Sequence, residues 1–422
     1  MIKTIALSPG VTLRHCPDSR FKKAAVSIQL LRPMTDEEAA LNALLPSVLL
    51  RGTEDHPDIR SITEYLDELY GASVSTMVRR VGDIQTVGFY LSFMEDRFAM
   101  AGDRILEPMI RFLEEAMLRP LLSADGFNPS FVESEKKNLI STIDSELNDK
   151  RSYAAAKMLR QMCQGDSFAV PRLGRAEDVA NISPRRLYEH YRHILKTSPV
   201  EIFYVGSAGA EAVAALLMPL AKAIAQEPEE LVKHTCFIPQ VPESEFSEEM
   251  EVAQGKLSMG FTTGVDNKSP DFAAMQVFNA VYGAGMTSKL FVHVREKLSL
   301  CYYAGSAYYG SKGIMTVSSG IDPENFHRAK AEILEQLRQC QTGNITPAEL
   351  AAGKKAIVSS LRATPDSPGA LEGYYGTAFV SGLNWELAEY MAAVEAVSAE
   401  DVARVARTVK LHTVFLLKGV AK

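Results

Sequence analysis

The chain has 422 residues, 46% of them hydrophobic and 23% charged, and a formal net charge of −7. This composition excludes a disordered, collagen-like or small disulfide-framed protein, and the acidic balance argues against a chain-wide surface for nucleic acid. No uncharged apolar run approaches the roughly 20 residues that span a bilayer.

Residues 1–10 lack the apolar core and small-residue cleavage site of a signal peptide. Five cysteines (16, 163, 236, 301, 340) are scattered without a CxxC pair. They read as reduced thiols, so a cytoplasmic location and no membrane partner are expected.

Taken in chain order, the elements repeat. A strand is predicted over 23–31, then a helix led by Thr35-Asp36-Glu37-Glu38 and running from Ala39 to Leu50, then a second helix over 62–69. Two β-rich runs, 72–80 and 84–93, flank a turn at Val81-Gly82-Asp83, the pattern of a hairpin. Met94-Glu95-Asp96-Arg97-Phe98 opens a long amphipathic helix, and a further helix holds Glu135 to Ser141. The same order returns later in the chain. A strand over 256–264 is followed by a helix over 272–282, a second helix over 288–297, and a hairpin of 301–309 with 314–321 around Gly310 and Gly313. Asp322-Pro323-Glu324-Asn325-Phe326 then leads long helices that include Gly353 to Ser359. Between the repeats, residues 224–249 carry prolines and an acidic cluster, the chemistry of a linker. The expected organisation is two homologous α+β domains, 1–223 and 250–422, joined by 224–249. Each would be a mostly antiparallel sheet with helices packed on one side.

Three strings carry a resemblance to a known family. They are Leu49-Leu50-Arg51-Gly52-Thr53, the helix Phe131 to Ile140, and the run Gly283-Ala284-Gly285-Met286-Thr287-Ser288-Lys289-Leu290-Phe291 through Arg295-Glu296-Lys297 to Tyr302. Together they resemble the pitrilysin/insulinase-type (M16) zinc peptidases over nearly the whole chain. The resemblance implies a LuxS/MPP-like metallohydrolase fold in each half. Leu69-Tyr70-Gly71-Ala72-Ser73 is similar to a bacterial branch of the family whose inactive members pair with a zinc-bearing sister.

The family's zinc chemistry needs HxxEH on a helix, with both His on one face, the Glu as general base and a later Glu as third ligand. Counting back from Gly52-Thr53, this chain has Ala43-Leu44-Leu45-Pro46-Ser47 in that place. Both His are replaced, by Ala43 and Ser47, the base by Pro46, and the later ligand position falls on Thr142, with Glu135 surviving one helix face earlier. Neither Ala nor Pro ligates a metal through its side chain, so no cofactor and no peptidase activity are expected of this chain alone. His190 and His193 stand three apart on a predicted helix and read as a solvated face; the competing reading is an unconventional metal site. Glu54-Asp55-His56-Pro57 reads as a loop, and the Ser pairs 318–319 and 359–360 as strand or helix positions.

Arg295 and Tyr302 match a pair that the family carries in its second half. There, phenol and guanidinium donors meet the negative charge that develops on the scissile carbonyl. From spacing alone, Arg295 reads as a surface partner of Glu296 and Tyr302 as a packing residue; the surrounding signature turns the reading toward the site. The resemblance implies that this chain supplies the Arg/Tyr pair and half of a peptide chamber to a homologous HxxEH-bearing partner that holds the zinc; for the chain in isolation, monomer and homodimer both stay open. The family adds extended peptides to a sheet edge, and the tyrosine-rich run 302–309 is a candidate lining. The alternative is a peptide-binding or structural scaffold with no part in catalysis.

Overall fold

The computed structural model describes residues 2–146, 148–231, 234–252 and 254–419. Contacts group the chain into two units. The first comprises Met1–Asp144, Val170–Lys233 and Pro365–Val380; the second comprises Ser145–Ala169, His234–Thr364 and Ser381–Lys422. This grouping differs from the linear halves in two helices, and those helices explain how each sheet is covered.

In the first unit, β1 (Lys3–Ser8), β2 (Val11–Pro17), β3 (Lys23–Pro33), β4 (Ser73–Val81), β5 (Ile84–Met94) and β8 (Val200–Gly206) form one sheet in the order β1-β2-β8-β3-β5-β4. All neighbours are antiparallel except β2 and β8. The β4–β5 hairpin turns at the expected place, because Gly82 takes φ +58°, a left-handed conformation that costs glycine little. A two-residue ribbon, β6 (Leu122–Ser123) with β7 (Gly126–Phe127), lies apart.

Val26, Ile28 and Leu30 of β3 face a core shared with α1 (Asp36–Leu49), α3 (Leu106–Leu118), α7 (Pro184–Thr197) and α8 (Ala210–Ala223). Also in this unit are α2 (Ile59–Glu68), α4 (Pro129–Ser145) and the short α6 (Ala176–Ala180). The alternate residues of β3 are buried as well. Their cover is α12 (Pro368–Ser381), about 340 residues further along the chain. Glu372, 1% exposed, accepts two bonds from Arg79 (3.0 and 2.8 Å) and one from Gln29 (3.3 Å). Tyr375 stacks on Phe203 and Arg14 lies 4.3 Å over the Phe379 ring.

The second unit repeats this arrangement. β9 (Ser244–Met250), β10 (Gly255–Thr262), β11 (Cys301–Tyr309), β12 (Ile314–Ile321) and β13 (Lys410–Gly419) form a sheet in the order β11-β12-β10-β13-β9, parallel only between β13 and β9. Taken from the β11 edge, the order and sense are those of β4-β5-β3-β8-β2. One face carries α9 (Phe272–Tyr282): Ser306, in register with Val317 and through it Met259, bonds the α9 residue Asn279 at 2.7 Å. Helices α10 (Phe326–Gln341), α11 (Pro347–Ala363), α13 (Leu387–Ala396) and α14 (Ala399–Ala406) complete that layer. The other face receives α5 (Lys150–Met162), from early in the chain. Gly260 admits it, since a Cβ there would stand 2.5 and 2.6 Å from the sulfurs of Met158 and Met162.

The expected linker at 224–249 needs correction. Ala225, Glu227 and Glu229 donate backbone bonds to Leu195, Lys196 and Thr197, and so extend the first unit. Ser244–Met250 is strand β9: Phe246 packs on Phe415 at 4.8 Å, and Glu248 meets Tyr153 and Lys157, each at 2.8 Å. Alternation of inward and outward residues outweighs the acidic composition there. Residues 232 and 233 of the same stretch lie outside the described residues.

Two outcomes are expected. Glu372→Ala, which strands the Arg79 and Gln29 donors, lowers stability by about 3 kcal/mol in urea denaturation followed by circular dichroism; breaking the exposed Arg60–Glu64 pair leaves the midpoint unchanged. A fragment of residues 1–233 lacks α12 and carries α5 without its sheet, so it is expected to aggregate, and co-expression with residues 234–422 to restore soluble protein.

Candidate functional site

Helix α1 starts at Thr35, whose hydroxyl accepts from the Glu38 amide, with three acidic residues in the first turn. Its residues 39–46, 48 and 49 are buried. Ala43 (5% exposed) and Ser47 are four apart and share a face, while Pro46 removes the amide that would bond the Asn42 carbonyl. A methyl, a pyrrolidine ring and one hydroxyl are not a zinc donor set. Among the described residues no group of three His, Cys, Asp or Glu side chains is placed to hold a metal.

The polar contacts of this helix go elsewhere. The Asn42 amide donates to Gln85 (2.9 Å), and its carbonyl oxygen accepts from Nε2 of His190 at 2.7 Å. Gln85 in turn donates to the carbonyls of Ala39 (3.2 Å) and Arg172 (2.7 Å). The chain of donors fixes the His190 tautomer, because the Asn42 nitrogen is already spent. His190 is thus buried and bonded, which corrects its reading as part of a solvated face. It lies with Leu187, Tyr191 and Ile194 on the core side of α7. His193 stays half-exposed, near Arg32 (3.4 Å) and Glu229 (3.8 Å). His56 also departs from a plain loop residue: its Nδ1 is 3.0 Å from the buried Glu115 and its ring rests on Tyr65.

On α4, Glu135 pairs with Arg51 at 3.2 Å, and Arg51 lies over the Phe131 ring. Thr142 is exposed and bonds the Asn138 carbonyl of its own helix.

In the second unit the run from Gly283 to Tyr302 joins α9 to β11. Its helix is wider than the expected α-helix: Leu290–Lys297 is a π-helix, closed by the Leu298 amide on the His293 carbonyl five residues back. Ser299, at φ +49°, then turns the chain into β11. Arg295 lies 4.6 Å over the Phe291 ring and 3.6 Å from Glu296. Tyr302 is 69% exposed at the start of β11. No hydrogen bond or ring contact joins Arg295 to Tyr302, and both side chains reach solvent. β11 is the sheet's edge, but the outward amide of Ser306 is already bonded to the Gly283 carbonyl at 3.1 Å.

A groove of about 330 Å³ opens beside β11, bounded by the 283–286 turn, Phe291, Tyr303 and Arg151. Arg151 gave no signal in the sequence. It stands more than 130 residues from its neighbours there and reaches them only because α5 packs on this unit.

The family model described as the Peptidase M16 inactive domain matches residues 181–357. The chain is 30% identical over 410 residues to a Bacillus subtilis protein named "Probable inactive metalloprotease YmfF", covering 97% of this chain and 96% of that one. The chain belongs to the M16 peptidase family. Among solved structures, a conserved protein from Enterococcus faecalis V583 is 26% identical, with a TM-score of 0.91 over 100% of this chain and 99% of the other. A peptidase M16 inactive domain from Pseudomonas fluorescens shares the fold at 16% identity, with a TM-score of 0.82 over 100% and 98% of the two chains. The two-domain M16 architecture and an inactive-type M16 chain therefore agree with the expectation from sequence. No helix among the described residues is long and apolar enough to cross a membrane.

Burial lowers the pKa of His190 to about 4, with Arg32, His193 and Arg186 acting in the same direction and Glu38 opposing them. An imidazole depressed on folding contributes stability that is complete above its ordinary value of 6.5 and is lost as the pH falls through about 4. The expected loss between pH 7 and pH 4 is on the order of 3 kcal/mol. His190→Gln, which keeps a donor for Asn42 but cannot be protonated, should flatten that part of the urea-midpoint profile.

Proposed function

We propose that the chain is the non-catalytic member of a two-chain M16 peptidase of the cytoplasm. It would pack against a homologous subunit with an intact HxxEH motif, which holds the zinc, and contribute one wall of a peptide chamber. The replacement of the zinc-ligand positions by Ala43, Ser47 and Thr142, and of the base by Pro46, supports the non-catalytic half of this reading. The observation that carries the rest is the exposure of Arg295 and Tyr302 in a chain that has no use for them by itself. The guanidinium is held by a ring face and one loose ion pair, so its fork of donors is available to a peptide carbonyl. The Tyr302 hydroxyl is a second donor toward an oxygen on which negative charge develops.

A second reading, a peptide-binding scaffold without a catalytic role, draws on the same contact: an arginine stacked on Phe291 beside Glu296 is also an ordinary surface arrangement. Reconstitution separates the two. The isolated chain is expected to leave a peptide library intact, and the mixture with its HxxEH homologue to digest it. In that mixture Arg295→Ala and Tyr302→Phe should each lower kcat by about 10²-fold. Unchanged turnover in both variants removes the assisting role, and absence of turnover in any mixture leaves the scaffold.

A further inference from the structure

Helix α5 covers the second face of the second unit's sheet over β10 and β13, and β11 and β12 continue past it. Gly305 pairs with Ser318, and Ala307 with Thr316, itself in register with Gly260, so small side chains floor that face. The groove above them, about 330 Å³, lies at the low end of ligand-site volumes. Of its lining residues only Arg151 is charged. The guanidinium lies 4.4 Å over the ring of Tyr303, and no carboxylate of the described residues forms an ion pair with it. Asp149, the neighbouring acid, is occupied in capping α5 through the amides of Arg151 and Ser152 and the Ser152 hydroxyl. The Tyr303 hydroxyl likewise has no acceptor among the described residues. Its ring is fixed against Gly320, where a Cβ would come within 2.5 Å. Burial raises this phenol to about 12, so it remains a donor at neutral pH. Lys256, 5.8 Å from the same ring, adds positive potential while bonded to Gln254.

Two neighbouring donors without acceptors among the described residues, in a groove whose one lining charge is positive, suit an anionic acceptor with paired oxygens. We propose that the groove receives an acidic side chain of an extended peptide, its carboxylate bonded by the Arg151 guanidinium and the Tyr303 hydroxyl. The neighbouring peptide side chain would lie against Phe291 and the exposed Met286. Because the outward amide of Ser306 is already taken, recognition here runs through the side chain rather than through strand addition at that residue. The inference rests on reading the chain as one wall of a peptide chamber, and it adds a preference for acidic substrates.

The test is fluorescence polarisation of the full chain with end-capped peptides that carry one Glu or, in the matched set, Gln. Glu peptides are expected to bind at least about tenfold tighter. Arg151→Gln should erase that difference while leaving the Gln-peptide affinity in place, and Ala307→Phe, which fills the groove, should weaken both sets. Equal binding of Glu and Gln peptides, survival of the preference in Arg151→Gln, or binding only of peptides with an uncapped carboxy-terminus overturns the proposal while leaving peptide binding intact. Failure of every peptide to bind overturns the chamber reading along with it.

Discussion

A sheet whose middle strands are buried on both faces must be covered on both faces, and in this chain each sheet obtains its second cover from the other half of the sequence. In the first unit the constraint is chemical as well as steric. Gln29 and Arg79 present donors on the second face, and the carboxylate of Glu372 on α12 accepts from both. In the second unit it is steric: Gly260 leaves the room that Met158 and Met162 of α5 fill. The exchange makes each unit dependent on residues far away in the chain, so folding carries the loop-closure cost of long-range contacts.

The same constraint creates the groove. α5 is too short to cover the whole second face, and the strands it leaves bare bear glycine, alanine, serine and threonine rather than large apolar groups. A face of that kind is hydrated or occupied by a ligand at little cost. Large side chains there would have demanded a further helix. At the first-half motif the opposite has happened: α1 is packed with Ala43, Leu44, Leu45 and Pro46, and its polar needs are met internally by Asn42, Gln85 and His190. One unit has closed this helix with internal packing, and the other keeps an open surface whose Arg151 and Tyr303 donors lack acceptors among the described residues.

Much of this could be read locally. The hairpin at Gly82 and the helix over 272–282 follow from turn chemistry and hydrophobic period, which act between near neighbours. Three readings needed tertiary information. The acidic stretch 244–249 looks like linker until β13 gives Phe246 a partner, because charge composition says nothing of an available sheet edge. His190 looks solvated until Asn42 is placed opposite it. The segment 290–297 shows the spacing of any helix, and whether its bonds close at four or five residues depends on how the chain enters β11.

By itself, the sequence determined the class and the loss: two repeated α+β modules, and no metal-binding side chains at positions 43, 46 and 47, since element type is set by local periodicity and ligation by residue chemistry. What only the tertiary structure decided is which helix covers which sheet, and with it the meeting of Arg151 with Tyr303. Those contacts link residues about 100 to 340 positions apart, and no local pattern encodes a pairing whose energy appears only when both partners have left water.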